Sequence, residues 1–380
     1  MDSSLAQITE RVRAAAADGT PLRLRGCGSK DFYGESLQGE RLELGGLRGI
    51  ISYEPTELVV TVRAGTPLAE LEAALLEKGQ CLAFEPPRFV GTANCGGMVA
   101  AGLSGPARAS AGAVRDYVLG VTLLNGRAEL LTFGGQVIKN VAGYDVSRLI
   151  VGALGTLGVL TEISLKVLPA AVAEATLMAS GVAQQPALDL LNRWGGLPLP
   201  LNASCWVRDD SLSPARDCLF IRLRGAVAAV EAACPRMLAD LRALGGEASR
   251  MDNAQAGPDW DACRDQSLPF FHAAAPDLAL WRLSLPQTAP ALVLPYAQLI
   301  EWHGAQRWLW APLSAQAPLR QAAAVVGGTA MLFRAPQDAR VPAIARWSPL
   351  SAPLAQIHRR LKAEFDPAGI FNRGRMYPDL

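Results

Sequence analysis

Clustered cysteines are missing from this 380-residue chain. Its seven cysteines, at 27, 81, 95, 205, 218, 234 and 263, are scattered, and no two stand in a C-x-x-C spacing. Iron–sulfur and zinc sites need thiolates grouped at short fixed spacings, so neither is expected here, and the cysteines read as reduced thiols. Histidine is scarcer still. The three, at 272, 303 and 358, form no H-x-H or H-x-x-x-H pair, which weakens any reading as a metal enzyme and leaves no metal ligand to name. Charge of one sign is also lacking: 36 basic residues face 35 acidic ones, for a formal charge of +1. Electrostatics therefore offers no pull toward nucleic acid or an anionic membrane. No apolar run approaches the roughly eighteen residues a membrane span needs. The opening stretch, Met1 to Glu10, is polar and carries acids early, unlike a secretory signal. The cytoplasm is the expected address, with membrane association only through a partner.

What is present is the composition of a globular protein, half hydrophobic and 19% charged, with length enough for two domains. Leu5, Ile8, Val12 and Ala15 form the apolar stripe of a helix over 4–17. A short strand from Pro21 to Leu24 runs into Arg25-Gly26-Cys27-Gly28-Ser29-Lys30. A second, Leu58 to Val62, ends at Ala64-Gly65, where Thr66 is expected to cap a helix with Pro67 in its first position. Asn125-Gly126, between Val118–Leu124 and Ala128–Phe133, is a strong hairpin signal. Asp145 is expected either to shape a cofactor loop, together with Tyr144, or to cap the helix over Val146 to Ile150. Val159 to Val167 is a strand closing this region at Pro169. Beyond about 170, alanine and proline rise, and β-rich and alanine-rich helical segments alternate. The expected division is 1–169, 170–345 and a closing segment 346–380.

The chain is richest in glycine where chemistry is expected. Between 91 and 105, five of fifteen positions are glycine. A dinucleotide pyrophosphate needs several backbone N–H donors converging on it without side chains in the way, and glycine supplies both the φ angles and the close approach. Arg25 to Lys30 is one such run and Gly91 to Gly97 the other. Either alone reads equally well as an ordinary glycine-rich turn. Neither is a G-x-G-x-x-G run opening a long helix, which disfavours a nicotinamide cofactor, and Gly28-Ser29-Lys30 has the wrong order for a P-loop.

Four motifs in order, RLRGCGSK, VRAGTPLAELEAALLEKGQCLAFEPP, GTANCGGMVAAGLSGP and KNVAGYDVSRLIVGALGTLGVLTEISLKVLP, resemble the PCMH-type FAD-binding domain of the vanillyl-alcohol-oxidase family. The closing LKAEFDPAGIFNRGRM is similar to the end of its FAD-linked oxidase branch. The resemblance covers 20–168 strongly, 354–376 well and the middle loosely. It implies an α+β chain, a two-subdomain FAD-binding domain followed by an α+β cap domain with an antiparallel sheet, holding FAD non-covalently. It further implies that Arg25, Gly26, Cys27, Gly28, Ser29 and Lys30 hold the pyrophosphate through backbone amides, with Gly91, Thr92, Gly96 and Gly97 along the other side. Gly155, Thr156 and Val159 match a stretch near the adenine or ribitol end, Asn372 an asparagine near the flavin, and Pro86 and Pro87 a region beside the isoalloxazine.

Departures from the family pattern matter as much. The first loop lacks the histidine that covalent members use for flavin attachment. Cys27 and Cys95 stand where glycine and an aliphatic residue are usual, and either thiol reads as an attachment point or as small buried packing, with packing favoured. Leu154 replaces a common acidic residue. A paired-histidine motif of the GHxGDGNxH kind, which serves catalytic members in the second domain, is absent. In Glu301–Trp308, read as strand-like, His303 is a candidate base for a hydroxyl proton and Arg307 a candidate carboxylate clamp. The plainer reading is a hydrogen-bonded histidine and an arginine stacked on Trp302 or Trp308. Arg264, Phe270, Phe271 and His272 read as domain-interface packing.

The resemblance implies an FAD-binding subunit of a complex that oxidises glycolate or another small 2-hydroxy acid to a 2-oxo acid. Its partners would be a larger homologous FAD-linked oxidase subunit and an iron–sulfur subunit. Two alternatives stay open: a self-sufficient FAD-linked dehydrogenase of a D-2-hydroxy acid or sugar alcohol, and a non-catalytic structural subunit.

Overall fold

In a computed structural model, which describes residues 3–89, 93–135, 145–209, 214–338 and 344–380, the chain divides into two units. One comprises 1–104, 113–170 and 349–380; the other comprises 105–112 and 171–348.

The first unit is built in two parts. The expected N-terminal helix, Ser3–Asp18, packs Ile8, Val12 and Ala15 onto a small parallel pair, Leu22–Arg25 with Glu40–Glu43. The returning C-terminus joins this sheet through a parallel bridge between Leu22 and Phe371. The other part is a five-stranded antiparallel sheet in the order Ile50–Glu54, Val59–Arg63, Val159–Lys166, Val118–Leu124, Leu130–Gly134. Helices Leu68–Leu76 and Cys95–Ala101 cover it, burying Leu68, Leu71, Leu75, Met98 and Val99 against Val60, Val62 and Ile163.

Two local expectations are corrected. Thr66 does not cap the Leu68–Leu76 helix: Pro67 occupies the cap, and the Thr66 hydroxyl instead bonds both the N–H and the carbonyl of Gly49. The hairpin after Leu124 is a five-residue connection, with Ala128, not Gly126, in the left-handed region. Gly126 is needed for space, because a Cβ there would lie 2.8 Å from the Asp366 backbone. Asp145 does cap its helix, accepting from the Arg148 N–H.

The second unit is α+β with an eight-stranded antiparallel sheet, in the order Glu247–Arg250, Ala173–Ser180, Arg216–Gly225, Leu201–Asp209, Gln298–Glu301, Gln306–Ala311, Ala279–Ser284, Thr329–Arg334. Alternation along each strand sends Leu177, Trp206, Leu219 and Ile221 to one face, where helices Gln184–Gly195 and Val227–Ala243 bury Leu191, Trp194 and Met237 against them. Helix Gln316–Val325 covers Trp281, Leu309 and Leu332.

Candidate functional site

A cleft in the first unit draws together segments far apart in sequence. Leu24 to Asp31, Asn94, Gly96 and Gly97, Leu154 and Gly155, and Asn372 with Arg375 all line it. Glycine is demanded at several of these positions. Gly28 has φ +81°, and a Cβ on Gly26 would lie 2.1 Å from the Asn94 side-chain nitrogen. A Cβ on Gly96 would press against Ala64 at 2.9 Å. The amides of Gly96 and Gly97 are already engaged, by the Ala64 carbonyl (2.6 Å) and by Asn94 Oδ1 (2.8 Å). These two glycines therefore let backbone pass close to backbone rather than aim free donors into the cleft.

The charge at the cleft suits an anion. Arg25 and Lys30 both line it, and Asp31 holds Arg25 through its Nε (3.2 Å) and Arg23 through its Nη2 (2.7 Å). Arg375, buried, braces the loop by donating to the carbonyls of Asp31, Tyr33 and Glu35. Burial alone would raise the Cys27 thiol. The hydroxyl and amide of Ser29, the Lys30 ammonium and the Asn94 amide outweigh it and lower the thiol below its usual value. The amides and the cation that lower this thiol would act in the same sense on a phosphate at the loop. Cys95, by contrast, is fully buried and pushed up to about 12 by desolvation, then by Glu72 and Glu70. Small backbone and positive side chains fit a diphosphate.

The returning C-terminus supplies the brace. The Asn372 side chain accepts from the Leu24 N–H (2.8 Å) and donates to the Leu154 carbonyl (2.7 Å), tying two walls of the cleft together. Behind it, the buried Lys362 ammonium donates at 2.7 Å to the Thr156 carbonyl, the Phe371 carbonyl and the Asp366 carboxylate. Asp366 in turn accepts from the N–H groups of Ile370 and Phe371. Thr156 is thus held behind the cleft, and Val159 lies in the core beside Leu22 and Phe371. Pro86 and Pro87 are buried. Two residues beyond Pro87, the Phe89 ring meets Phe32 edge-on at 5.1 Å and lies under the Lys30 ammonium. Gly91, Thr92 and Tyr144 fall outside the described residues. Asn94 and Arg375 were not singled out from sequence. The Asn-x-x-Gly run at 94–97 was the available signal for the first, and the arginine-rich NRGR following Phe371 for the second.

In the second unit, His303 sits in a tight turn between two strands, not within one strand, with φ +55°. It is buried, its Nε2 bonding the exposed Ser110 hydroxyl (3.0 Å) and its Nδ1 the Ser204 hydroxyl (2.9 Å). Burial holds the imidazole down at about 4, so it is neutral near pH 7. Arg307 is wholly buried and donates to the carbonyls of Gly304 and Ala289, and burial lowers its guanidinium to about 10. The guanidinium lying over Trp302 is that of Arg108. The geometry gives His303 two hydroxyl partners and Arg307 a structural pair of carbonyls.

Residues 3–134 match the family described as FAD binding domain. Glycolate oxidase subunit GlcE of Escherichia coli (strain K12) is 44% identical over 373 residues, covering 98% of this chain and 97% of that protein. Glycolate oxidase subunit GlcD of Bacillus subtilis (strain 168) is 33% identical over 34% of this chain and 27% of its own length. The D-lactate dehydrogenase of Anaerostipes hadrus is 33% identical over 35% of this chain and 27% of its own. Among solved structures, alkyldihydroxyacetonephosphate synthase superposes with a TM-score of 0.68 over 97% of this chain and 75% of its own, at 13% identity, a likeness of fold alone.

Proposed function

Because the chain belongs to the family of glycolate oxidase subunit GlcE, we propose that it is the FAD-binding subunit of a complex that oxidises glycolate or a similar 2-hydroxy acid. Its FAD would be held without a covalent bond in the cleft of the first unit, and its partners would be a larger homologous FAD-linked subunit and an iron–sulfur subunit. The observation that carries this reading is the cleft itself, where Gly26 and Gly28 leave backbone bare beside Arg25 and Lys30. Bound there, FAD would supply the capacity to accept a hydride.

The chain's own residues bind and orient. The 25–30 loop brings the Arg25 and Lys30 cations to the cleft, where they support a diphosphate. Asn372 and Lys362 keep two walls at fixed spacing. Primary oxidation is assigned to the larger subunit, since this chain lacks the paired-histidine motif of the catalytic members. The scattered cysteines leave the iron–sulfur centre to another chain. One observation favours the self-sufficient alternative: Ser110 is exposed while bonded to His303, a hydroxyl–imidazole pair able to pass a proton.

Purified chain should be yellow, and acid precipitation should release its FAD into the supernatant. Colourless chain would favour the structural-subunit reading. Flavin retained in the precipitate by the wild type, but freed in Cys27→Ser, would mean covalent attachment at Cys27. Anaerobic glycolate should bleach the flavin only in the reconstituted complex. Bleaching by the chain alone, lost in His303→Ala, would replace the subunit reading with the self-sufficient one.

A further inference from the structure

The second unit holds a cavity of about 610 Å3 whose lining shares no residue with the cleft of the first unit. Its floor is the face of the eight-stranded sheet carrying Cys205 and Phe220, opposite to the face that Trp206 and Leu219 present to the two long helices. Its roof is the helix Asn253–Asp265 and the segment that follows it.

The lining sorts sharply by polarity. The charged or ionisable groups Arg208, Asp259 and His272 are exposed and stand at the rim. Inside, the two indoles turn their N–H groups into the protein, Trp260 to Thr176 Oγ1 (2.9 Å) and Trp310 to the Phe270 carbonyl (2.7 Å). The walls therefore offer ring surface and not donors. Cys205 and Cys263 add polarisable sulfur, a favourable neighbour for aromatic rings. Thr176 Oγ1 accepts from Trp260 and so keeps its own proton to give, one polar point in an otherwise apolar space. Behind the wall, Arg222 lies over the Trp260 ring and donates to Asn202 Oδ1, and Glu301 accepts from Cys263. Among the described residues no buried lining residue carries a charge, so a charged occupant would lose its hydration without a counter-charge in contact with it.

The roof is also soft. Gly257 and Pro258 lie within its helix. A proline there has no N–H to return to the carbonyl four residues back, and glycine adds its own conformational cost. Such a helix opens locally at less expense than one without these residues.

We propose that this cavity is a binding site for an uncharged aromatic molecule of two or three fused rings, bearing at most one hydrogen-bonding oxygen for Thr176. It does not rest on the function proposed above.

The probe is 1-naphthol, titrated by calorimetry into the full-length, FAD-loaded protein, with 1-naphthoate as the charged comparison. One-to-one binding with a Kd below about 100 μM is expected, and at least about tenfold weaker binding of the carboxylate. Val207 lines the cavity and is half-buried. Val207→Trp should fill it and weaken 1-naphthol by at least about tenfold, with FAD content and far-ultraviolet dichroism unchanged. Val207→Phe gives the same comparison with a smaller insertion if the tryptophan variant fails to fold. Three results would overturn the proposal: no saturation up to about 1 mM, equal affinity for the carboxylate, or binding that survives the filling of the cavity.

Discussion

His303 ties a single side chain to the stability of its unit. Its imidazole is held at about 4 in the folded chain, against about 6.5 when unfolded. Between these values the unfolded chain binds more protons than the folded one, so the neutral histidine's contribution is complete above about pH 6.5 and lost as pH falls toward 4. The expected slope is about 1.4 kcal/mol per pH unit in that window, on top of other groups. Urea unfolding of the second unit, followed from pH 7 to 4.5, should show it, and His303→Gln should flatten it. An unchanged slope in that variant would refute the assignment. At this scale the sequence discloses types better than partners. Arg25 to Lys30 could be picked out because glycine clusters are rare, whereas Asn94 and Arg375 reach the cleft only through the fold. The bond from Arg375 to the Asp31 carbonyl spans 344 positions, a separation no local pattern encodes.

Among elements, the C-terminal helix Ala352–Phe365 matters most for the cleft, although only its last turns are buried. Lys362 and Asp366 lie four apart on it and beyond it, and their pair secures the segment that ends at Asn372. Lys362→Met would leave Asp366 buried without its cation, at a cost of about 3–5 kcal/mol. It should also weaken FAD by at least about tenfold, since Asn372 would no longer hold Leu24 and Leu154 at fixed spacing. FAD titration and limited proteolysis near 366–380 would check it; wild-type affinity with a protected C-terminus would contradict it. Elements were legible where periodicity is strong, as in Ser3–Asp18. They were misjudged where a neighbour decides. Thr66 has the chemistry of a cap, yet Gly49 claims its hydroxyl, and Asn125-Gly126 looks like a two-residue turn, yet Gly126 serves to admit Asp366.

For the whole molecule, each unit has its own core. The clusters around Val60–Ile163 and Ile8–Phe371 belong to the first, and those around Leu177–Met237 and Trp281–Leu332 to the second. Calorimetry should resolve two transitions, because a chain with separate cores need not melt as one. Only one of them should rise with FAD, by about 2.7 kcal/mol at a hundredfold excess over Kd. A shift of both transitions by equal amounts would argue for a single cooperative block.

The first unit is assembled from three stretches of chain, the last being 349–380. On the ribosome those residues emerge after the second unit, so the small parallel sheet lacks its Phe371 bridge, and the cleft its Asn372 tie, until 171–348 has been made. Cofactor loading must then wait for the second unit to be synthesised. A stop codon within 349–371 would leave a chain whose second unit is whole while its flavin site was never finished.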